Sequence, residues 1–470
     1  MKTKFLLALC LSGAYCIAAP PAREPQSDPR LKSAFRREPQ NDWIFVHLEG
    51  KPTDVGYQHG YLLSAEIEDG FRVVRAGLVH DTKKNWAFFR DAAQNVLWPH
   101  IETEYRDELQ GIVDGLHAKN VQLDVWDIVA YNAWLELGPY YSASYDRQHR
   151  VASPRMPTPE HCSAFVATGS YTKDGRMVIA HNNWTDYKEG SRWNVVFDIV
   201  PAAGHRILMD GMPGLIHSGD DFGENDAGIV VTETTIGSFS SFDNDGVAEF
   251  VRARKAMQYS ASIDDFARIM KDGNNGGYAN TWLVADTKAN EIASLELGLK
   301  HVTLKRTKDG YFVGSNYPEN PDLIRDETPD FAVKDTSVSA NARHKRWDDL
   351  MAIDKGKIDV KLAEKFLGDH YDTFDRRNEP DERTLCGHID LSPRGSKPWQ
   401  PPYGIAGAVQ NKATDAAMAA RMSFVAHMGH ACGLNFKAAS HLKKHPEFAW
   451  EKDILRDLDS YPWTKFQIAE

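Results

Sequence analysis

One break, at residues 142–161, divides the sequence into two parts with different hydrophobic patterns. Before the break, apolar residues recur every three or four positions, as on the helix face formed by Tyr105, Leu109, Ile112, Val113 and Leu116. The break contains three prolines, several basic residues and no periodicity. The pattern therefore predicts a helical N-terminal segment over residues 42–161 that ends in an exposed, cleavable loop.

Short apolar runs of strand length follow the break. They cover residues 163–168, 177–181, 195–200, 207–209, 228–232, 281–285, 292–297 and 311–313. Asp174-Gly175 between the first two runs is a strong hairpin signal. Helical patterns are predicted at 247–257, at 263–270 with Ser262 as N-cap, at 338–371 and at 415–427. Helices around a mainly antiparallel strand set predict an α+β chain, built as a layered sandwich, over residues 162–470.

The N-terminus has the composition of a secretory signal. Lys2 and Lys4 precede an apolar run over residues 5–19, which is followed by small residues and prolines. We expect residues 1–22 to be a signal peptide, because the run is too short to span a bilayer comfortably. Residues 23–41, rich in Pro, Arg, Asp and Gln, are expected to be a disordered lead-in. With no transmembrane segment predicted later in the chain, the expected location is secreted or periplasmic, or lysosomal if the source is eukaryotic.

Charge and cysteine content narrow the function classes. The formal net charge is −11 and no basic patch stands out, so a nucleic-acid partner is not expected. Two of the five cysteines fall in the predicted signal. Of the other three, we expect Cys386 and Cys432 to form a disulfide and Cys162 to stay free, since export favours pairing. A free thiol in an oxidising compartment is open to oxidation, so its presence favours a functional role.

The common catalytic and metal-binding motifs are absent. The sequence has no G-x-S-x-G, H-E-x-x-H, C-x-x-C or Walker A motif, and no G-x-G-x-x-G after a strand. His427/His430 and His441/His445 have helical spacings that suit a metal, but no third ligand is evident. We therefore expect no metal and no organic cofactor.

Cys162 directly follows the break and opens the first predicted strand. If the peptide bond before it is cut, Cys162 gains a free α-amine with an ordinary pKa of roughly 7.7–8.0. That amine can accept the thiol proton directly or through a water, so the nucleophile and its base lie on one residue. The alternative is a small, buried, apolar cysteine, which is the commonest fate of a lone cysteine.

Short motifs in a fixed order make the chain similar to a known family. They are Met177-Val178-Ile179-Ala180-His181-Asn182-Asn183-Trp184, Met212-Pro213-Gly214, Asp220-Asp221-Phe222, Glu233-Thr234-Thr235-Ile236-Gly237, Tyr278-Ala279-Asn280-Thr281-Trp282, Ser315-Asn316-Tyr317-Pro318 and Asp390-Leu391-Ser392-Pro393, with Gly56-Tyr57-Gln58-His59-Gly60-Tyr61-Leu62-Leu63 and Tyr105-Arg106-Asp107-Glu108-Leu109 nearer the N-terminus. On these motifs the chain resembles the phospholipase B-like family of the lysosomal laminin-ancestor type. More distantly it resembles the penicillin acyltransferase group of cysteine N-terminal-nucleophile (Ntn) hydrolases. The resemblance implies an αββα sandwich with the helical N-terminal segment packed on it.

The resemblance also implies roles for particular positions. Cys162 is the implied nucleophile, exposed by self-cleavage, and the other matched site positions are His181, Trp184, Thr235, Asn316 and Arg343. The Asn316 amide is expected to donate to an oxyanion, and His181 and Arg343 to orient groups or balance charge. Arg346 is a rival for Arg343, and His161 stands where many relatives have a small residue before the nucleophile.

Each of these positions also has an ordinary explanation. His181 and Trp184 can be core residues, and Thr235 has the propensity of any strand residue. Asn316 precedes a turn, where asparagine is common, and Arg343 can lie on a helix surface.

The sequence thus predicts a secreted, self-processing cysteine Ntn hydrolase that forms an acyl-enzyme on Cys162. Its substrate is expected to be a small molecule with an acyl bond, either an amide or a phospholipid ester, and an acyltransferase stays open as a variant. The two fragments are expected to stay associated, because the helices before residue 161 need a surface against which to bury. Two alternatives remain: a catalytically inactive lipid- or peptide-binding protein on the same scaffold, and a cysteine hydrolase that works uncut with His181 as base.

Overall fold

The structure is a computed structural model that describes residues 28–151, 162–219, 222–397 and 399–469. Its strands are β1 (Phe35–Arg36), β2 (Ile44–Gly50), β3 (Ser163–Thr168), β4 (Val178–Asp186), β5 (Val195–Pro201), β6 (Ile207–Gly211), β7 (Gly223–Asn225), β8 (Ile229–Thr235), β9 (Asn280–Asp286), β10 (Glu291–Leu297), β11 (Val302–Thr307), β12 (Gly310–Gly314), β13 (Tyr371–Asp372), β14 (Arg377–Asn378), β15 (Ala406–Asp415), β16 (Ser423–Met428) and β17 (Thr464–Gln467). Its α-helices are α1 (Pro52–Leu62), α2 (Ser64–Thr82), α3 (Trp86–Ala92), α4 (Thr103–Ala118), α5 (Val125–Asn132), α6 (Trp134–Glu136), α7 (Ser142–His149), α8 (Tyr187–Gly190), α9 (Glu249–Tyr259), α10 (Ile263–Lys271), α11 (Pro321–Glu327), α12 (Ser339–Ile353), α13 (Val360–Leu367), α14 (Ala416–Ala419) and α15 (Ala438–Lys444).

The strands form two large sheets and one small ribbon. The nine-stranded sheet has the order β1-β2-β5-β6-β7-β8-β9-β10-β11, and the six-stranded sheet has the order β12-β3-β4-β15-β16-β17. The ribbon consists of β13 and β14. Neighbouring strands run antiparallel except β2 and β5, which are parallel. The strand pairing is therefore mainly antiparallel, as the sequence predicts.

An apolar core lies between the two large sheets. Ala164 and Val166 of β3 and Ile179 of β4 share one buried cluster with Val230 of β8 and Leu283 of β9. Since alternate residues of a strand point to opposite faces, these residues define the inner face of each sheet. The two sheets therefore pack face to face.

Helices cover the outer faces. On the nine-stranded sheet, Ile112 of α4 shares a buried cluster with Phe197 of β5. On the six-stranded sheet, Trp347 of α12 and Phe366 of α13 pack with Phe165 of β3. The arrangement confirms the predicted α+β class, with helices and sheets in layers.

Glycines bring α1 and α4 into backbone contact. A methyl group at Gly56 would lie 2.0 Å from a backbone oxygen of α4, and one at Gly60 would lie 2.1 Å from another. On the facing helix, methyl groups at Gly111 and Gly115 would lie 2.6 and 2.3 Å from backbone oxygens of α1. Only hydrogen fits at these four positions, which gives the 56–63 motif a packing role in the helical layer.

The strand predictions are confirmed. Each of the eight predicted runs lies on a strand, and β3 and β4 form the predicted hairpin with Ala167 opposite Val178. Helix α10 begins as predicted, because the Ser262 side chain accepts a hydrogen bond from Asp265 N. None of the described helices is both long and apolar enough to cross a membrane.

Two segments of the N-terminal part differ from the prediction. Residues 44–50, placed in the helical segment, form β2 because Ile44, Phe45 and Val46 are buried on both faces of the sheet. Residues 28–41, predicted to be disordered, contain a 3₁₀ turn at Pro29–Leu31 and strand β1. Gln58 Nε2 holds this segment by donating to Arg30 O at 2.7 Å.

Two further elements differ from the prediction. Residues 142–149 form α7 instead of a loop, whereas the rest of the predicted loop, 152–161, and the predicted signal at 1–22 lie outside the described residues. Of the helix predicted over 415–427, only Ala416–Ala419 is helical. The chain then forms β16, because Phe424, Ala426 and Met428 alternate into a buried apolar cluster.

Candidate active site

Cys162 is the residue directly before β3. Because β3 pairs antiparallel with β4, Ala164 lies opposite His181, and Ser163 lies opposite Asn182. Cys162 is fully buried and has a backbone φ of +81°, in the left-handed region that residues with a β-carbon seldom adopt. Strained residues of this kind cluster at functional sites.

The Cys162 thiol faces polar side chains. Its Sγ lies 3.9 Å from Asn183 Oδ1 and 3.9 Å from Glu233 Oε1. A ring nitrogen of His181 lies within 4.8 Å of Sγ and of a Glu233 carboxylate oxygen. Tyr278 donates its hydroxyl hydrogen to Glu233 Oε1 at 3.0 Å, which orients that carboxylate. The thiol is therefore surrounded by groups that can accept or hold a proton.

Arg343 on α12 links the site residues through its guanidinium. Its Nη1 donates to Cys162 O at 2.7 Å, its Nη2 to Asn316 Oδ1 at 2.8 Å and its Nε to Ser339 Oγ at 3.0 Å. The Arg343 Cζ also lies 4.3 Å from the ring centre of Trp184. The planar fork of arginine makes these contacts at once, so Arg343 fixes the backbone of Cys162.

Asn316 follows β12 and connects to the nine-stranded sheet. Its Nδ2 donates to Thr235 O at 2.8 Å, while its Oδ1 accepts from Arg343. Asn316 also has a positive φ, of +67°. Thr235 meets Asn316 through its backbone carbonyl, and its hydroxyl has no hydrogen-bond partner among the described residues. The predicted site residues on the two sheets are thus joined by the Asn316 amide.

Trp184 rests on the loop that precedes residue 386. Its Nε1 donates to Leu385 O at 3.2 Å, and Asn182 Nδ2 donates to the same oxygen at 2.8 Å. A methyl group at Gly387 would lie 2.1 Å from Trp184 ring carbons. This loop therefore sets the position of the ring that supports Arg343.

A buried ion pair lies beside His181. Lys412 of β15 is opposite His181 in the sheet register. Its Nζ lies 2.9 Å from Asp210 Oδ2 on β6, and both side chains are fully buried. Gln410 Nε2 donates to the same Asp210 oxygen at 2.8 Å. The pair connects the two sheets behind the histidine.

The structure brings the six sequence-predicted residues together: Cys162, His181, Trp184, Thr235, Asn316 and Arg343. Arg346, the rival for Arg343, instead forms a two-bond ion pair with Asp369 at 2.8 and 2.6 Å and does not contact Cys162 in the described structure. The predicted roles of the six residues stay predictions.

The sequence reasoning missed three residues around the thiol: Asn183, Glu233 and Tyr278. Each lies inside a motif that carried the family resemblance, and each is a polar residue in a buried segment. A buried carboxylate needs a partner, so Glu233, in a fully buried strand, was the available signal. Burial raises the pKa of nearby Tyr140 well above its ordinary value, and the charge of Glu233 raises it further.

The predicted Cys386–Cys432 disulfide is wrong, since both residues are free cysteines in the structure. Instead of bonding to each other, both sulfurs contact His388 Nε2, at 3.6 and 3.4 Å. Among the residues that the structure describes, Cys162, His181 and Glu233 form one group whose potential metal-ligand atoms lie close together. A second such group consists of His370, Cys386, His388 and Cys432.

The fold and the site together define an α+β protein with a cysteine at the centre of a buried polar cluster. The sequence model of the Phospholipase B family matches residues 75–461. The chain belongs to this family.

The chain is also similar to three curated proteins from two organisms. An uncharacterized protein of Archaeoglobus fulgidus is 23% identical over 389 residues, covering 77% of this chain and 63% of that protein. Phospholipase B-like protein A of Dictyostelium discoideum is 23% identical over 298 residues, covering 52% of each chain. Phospholipase B-like protein C of the same organism is 26% identical over 202 residues, covering 38% of this chain and 35% of that protein. The chain thus spans less than two thirds of the length of each of these three relatives.

Proposed function

We propose that this chain is an exported, self-processing cysteine Ntn hydrolase that cleaves an acyl bond through an acyl-enzyme on Cys162. The observation that carries the proposal is the position of Cys162. Its thiol lies at the start of a strand, within 4.8 Å of His181 and Glu233, and its carbonyl is held by Arg343.

Backbone strain at Cys162 supports self-cleavage. A non-glycine residue at φ +81° costs about 1–3 kcal/mol. Cutting the peptide bond before Cys162 removes this torsion, because φ is defined across that bond. Cleavage therefore releases the strain, while the bond from Arg343 to Cys162 O keeps the residue in place.

The cleavage step is an acyl shift followed by hydrolysis. Cys162 Sγ attacks the carbonyl carbon of His161, the bond from that carbon to Cys162 N breaks, and the thiol proton passes to the new amine. Water then hydrolyses the thioester, which releases the His161 carboxylate and restores the thiol. The products are two chains, with Cys162 at the start of the second.

Turnover uses the same groups on a substrate. The α-amine takes the thiol proton, and the sulfur attacks the substrate acyl carbon. The bond to the leaving alcohol or amine breaks, and the leaving group takes the proton from the α-ammonium. Water, activated by the amine, resolves the thioester. Glu233, whose Oε1 lies 3.9 Å from Cys162 Sγ, is the proposed partner of the α-ammonium, and Asn316 is the expected oxyanion donor.

The family name makes a phospholipid ester the first substrate to test, and an N-acyl amide is the second. In the uncut chain Cys162 is fully buried, which fits a precursor whose site opens after cleavage. The signal-like residues 1–22 are the basis for proposing export.

The experiment compares wild type, Cys162→Ser and Cys162→Ala on phosphatidylcholine micelles and on an N-acyl ethanolamine with the same acyl chain. We expect wild type to release fatty acid from one of them and Cys162→Ala to release none. Rapid acid quenching and peptide mapping should find the acyl mass on the peptide that contains Cys162. Equal release by wild type and Cys162→Ala would overturn the proposal, and binding of either lipid without release would favour the inactive binding protein.

A further inference from the structure

Four side chains from three separate segments meet beside Leu385, the residue to which Trp184 donates a hydrogen bond. His370 follows α13, Cys386 and His388 precede a 3₁₀ turn at Ile389–Leu391, and Cys432 follows β16. One ligand atom from each lies within 4.8 Å of each of the others. Cys386 and His388 are buried, and the other two are half-buried. We call these four residues the Cys2His2 cluster.

The distances within the cluster match those around a tetrahedral metal. His388 Nε2 lies 3.6 Å from Cys386 Sγ and 3.4 Å from Cys432 Sγ. In a tetrahedral zinc site with Zn–S about 2.3 Å and Zn–N about 2.0–2.1 Å, a sulfur and a nitrogen ligand lie about 3.6 Å apart. The distances from His388 Nε2 to the two sulfurs thus match two edges of such a site.

Two further contacts point to a ligand at this place. His370 Nε2 is buried and has no hydrogen-bond partner in the part of the chain that the structure describes. On the other side of the His388 ring, Nδ1 lies 3.9 Å from Asp390 Oδ1, which accepts a hydrogen bond from Tyr187 at 2.7 Å. A carboxylate behind a histidine is the usual support of a metal-binding imidazole.

We propose that His370, Cys386, His388 and Cys432 bind one zinc ion. Two sulfur and two nitrogen ligands suit zinc better than the oxygen-seeking cations. Binding releases the two thiol protons, so the ion meets two thiolates and two neutral imidazoles. With four protein ligands the site is closed, which is the form of a structural zinc site.

The zinc site would hold the loop on which the active site rests. Leu385, next to Cys386, accepts hydrogen bonds from Asn182 and Trp184. Trp184 in turn lies under Arg343. The ion therefore joins three segments of the six-stranded side of the fold directly beneath the catalytic cluster. This inference does not depend on the proposed acyl chemistry.

The test measures metal in the purified native protein after dialysis against metal-free buffer. Elemental analysis should find one zinc per chain in wild type and near none in His370→Ala and Cys432→Ser. His445→Ala is the matched histidine control and should keep its zinc, because His445 lies outside the Cys2His2 cluster. Zinc removal by a chelator should lower the melting temperature of wild type and leave that of His370→Ala unchanged.

A spectroscopic measurement keeps the test independent of variant folding. Chelated wild type titrated with Co²⁺ should give the intense visible bands of tetrahedral cobalt and a thiolate-to-cobalt charge-transfer band, saturating at one equivalent. Several outcomes would overturn the proposal: wild type without zinc and without these bands, zinc retained in both ligand variants, or a Cys386–Cys432 disulfide found by peptide mapping of the native protein.

Discussion

Replacing Arg343 by lysine tests whether the buried guanidinium positions Cys162. Arg343 donates three hydrogen bonds, to Cys162 O, Asn316 Oδ1 and Ser339 Oγ. Lysine keeps the positive charge but has one nitrogen instead of a planar fork. It can therefore keep at most one of these three contacts in the same geometry.

The structure sets the size of the effect. Each hydrogen bond from a charged donor contributes about 1.5–3 kcal/mol, so losing two lowers the free energy of unfolding by about 3–6 kcal/mol. An unfolding entropy of roughly 2.1 cal/mol/K per residue over 470 residues gives about 1 kcal/mol/K. The melting temperature should fall by about 3–6 °C. Self-cleavage should slow by about 100-fold, since a displacement of about 1 Å at a reacting centre has that effect.

Arg346→Lys is the matched control on the same helix. Arg346 makes two hydrogen bonds to Asp369, and lysine can keep one of them. Losing the other should lower the melting temperature by about 1–3 °C and leave the rate of self-cleavage unchanged. The assay follows precursor and fragments by denaturing mass spectrometry over time, with a thermal melt of each variant. If Arg343→Lys cleaves and melts like wild type, or if Arg346→Lys is equally impaired, Arg343 does not position Cys162.

Three other substitutions test separate parts of the structure. Burial raises the pKa of Glu224 well above its ordinary 4.5, so the protonated side chain stabilises the fold at low pH and this stability is lost as pH rises. The melting temperature of Glu224→Gln should therefore exceed that of wild type by an increasing margin from about pH 5 to 8. A difference that stays constant with pH would contradict this. Gly387→Ala places a methyl group 2.1 Å from Trp184 ring carbons. It should lower the free energy of unfolding by about 1–3 kcal/mol and slow self-cleavage. An unchanged melting temperature would show that the loop moves to make room for the methyl group. Glu233→Gln keeps an acceptor for Tyr278 but removes the charge beside the thiol. Self-cleavage should therefore slow at least about tenfold, while the melting temperature stays within about 1 °C of wild type. An unaltered cleavage rate would exclude a role for that charge.

Local patterns were enough to predict the strand half of the fold. The β3–β4 hairpin follows from Asp174-Gly175 between two apolar runs, and it places His181 beside the start of β3. The failures come from tertiary contacts that override local preference. Residues 423–428 have helix-forming neighbours, but their alternating apolar side chains are buried in the sheet.

The candidate site was predicted through the order of its motifs and not through its contacts. Arg346 was a rival match for Arg343, yet Arg343 makes the hydrogen bonds that connect Cys162 to Asn316. Glu233 was missed because a single acidic residue in a strand carries no sign of which thiol it will face. The sequence predicts a disulfide between the two cysteines of the Cys2His2 cluster and gives no sign of its histidines. His370 and His388 are brought to the cysteines only by the packing of three separate segments.

The most direct test of the central claim is the intact mass of the purified protein under denaturing, reducing conditions, with N-terminal sequencing of each chain. The structure and the proposed chemistry predict two chains in wild type, the second beginning at Cys162, and a single chain in Cys162→Ala. A wild-type protein that remains uncut, or a Cys162→Ala variant cut at the same bond, would contradict the N-terminal-nucleophile mechanism.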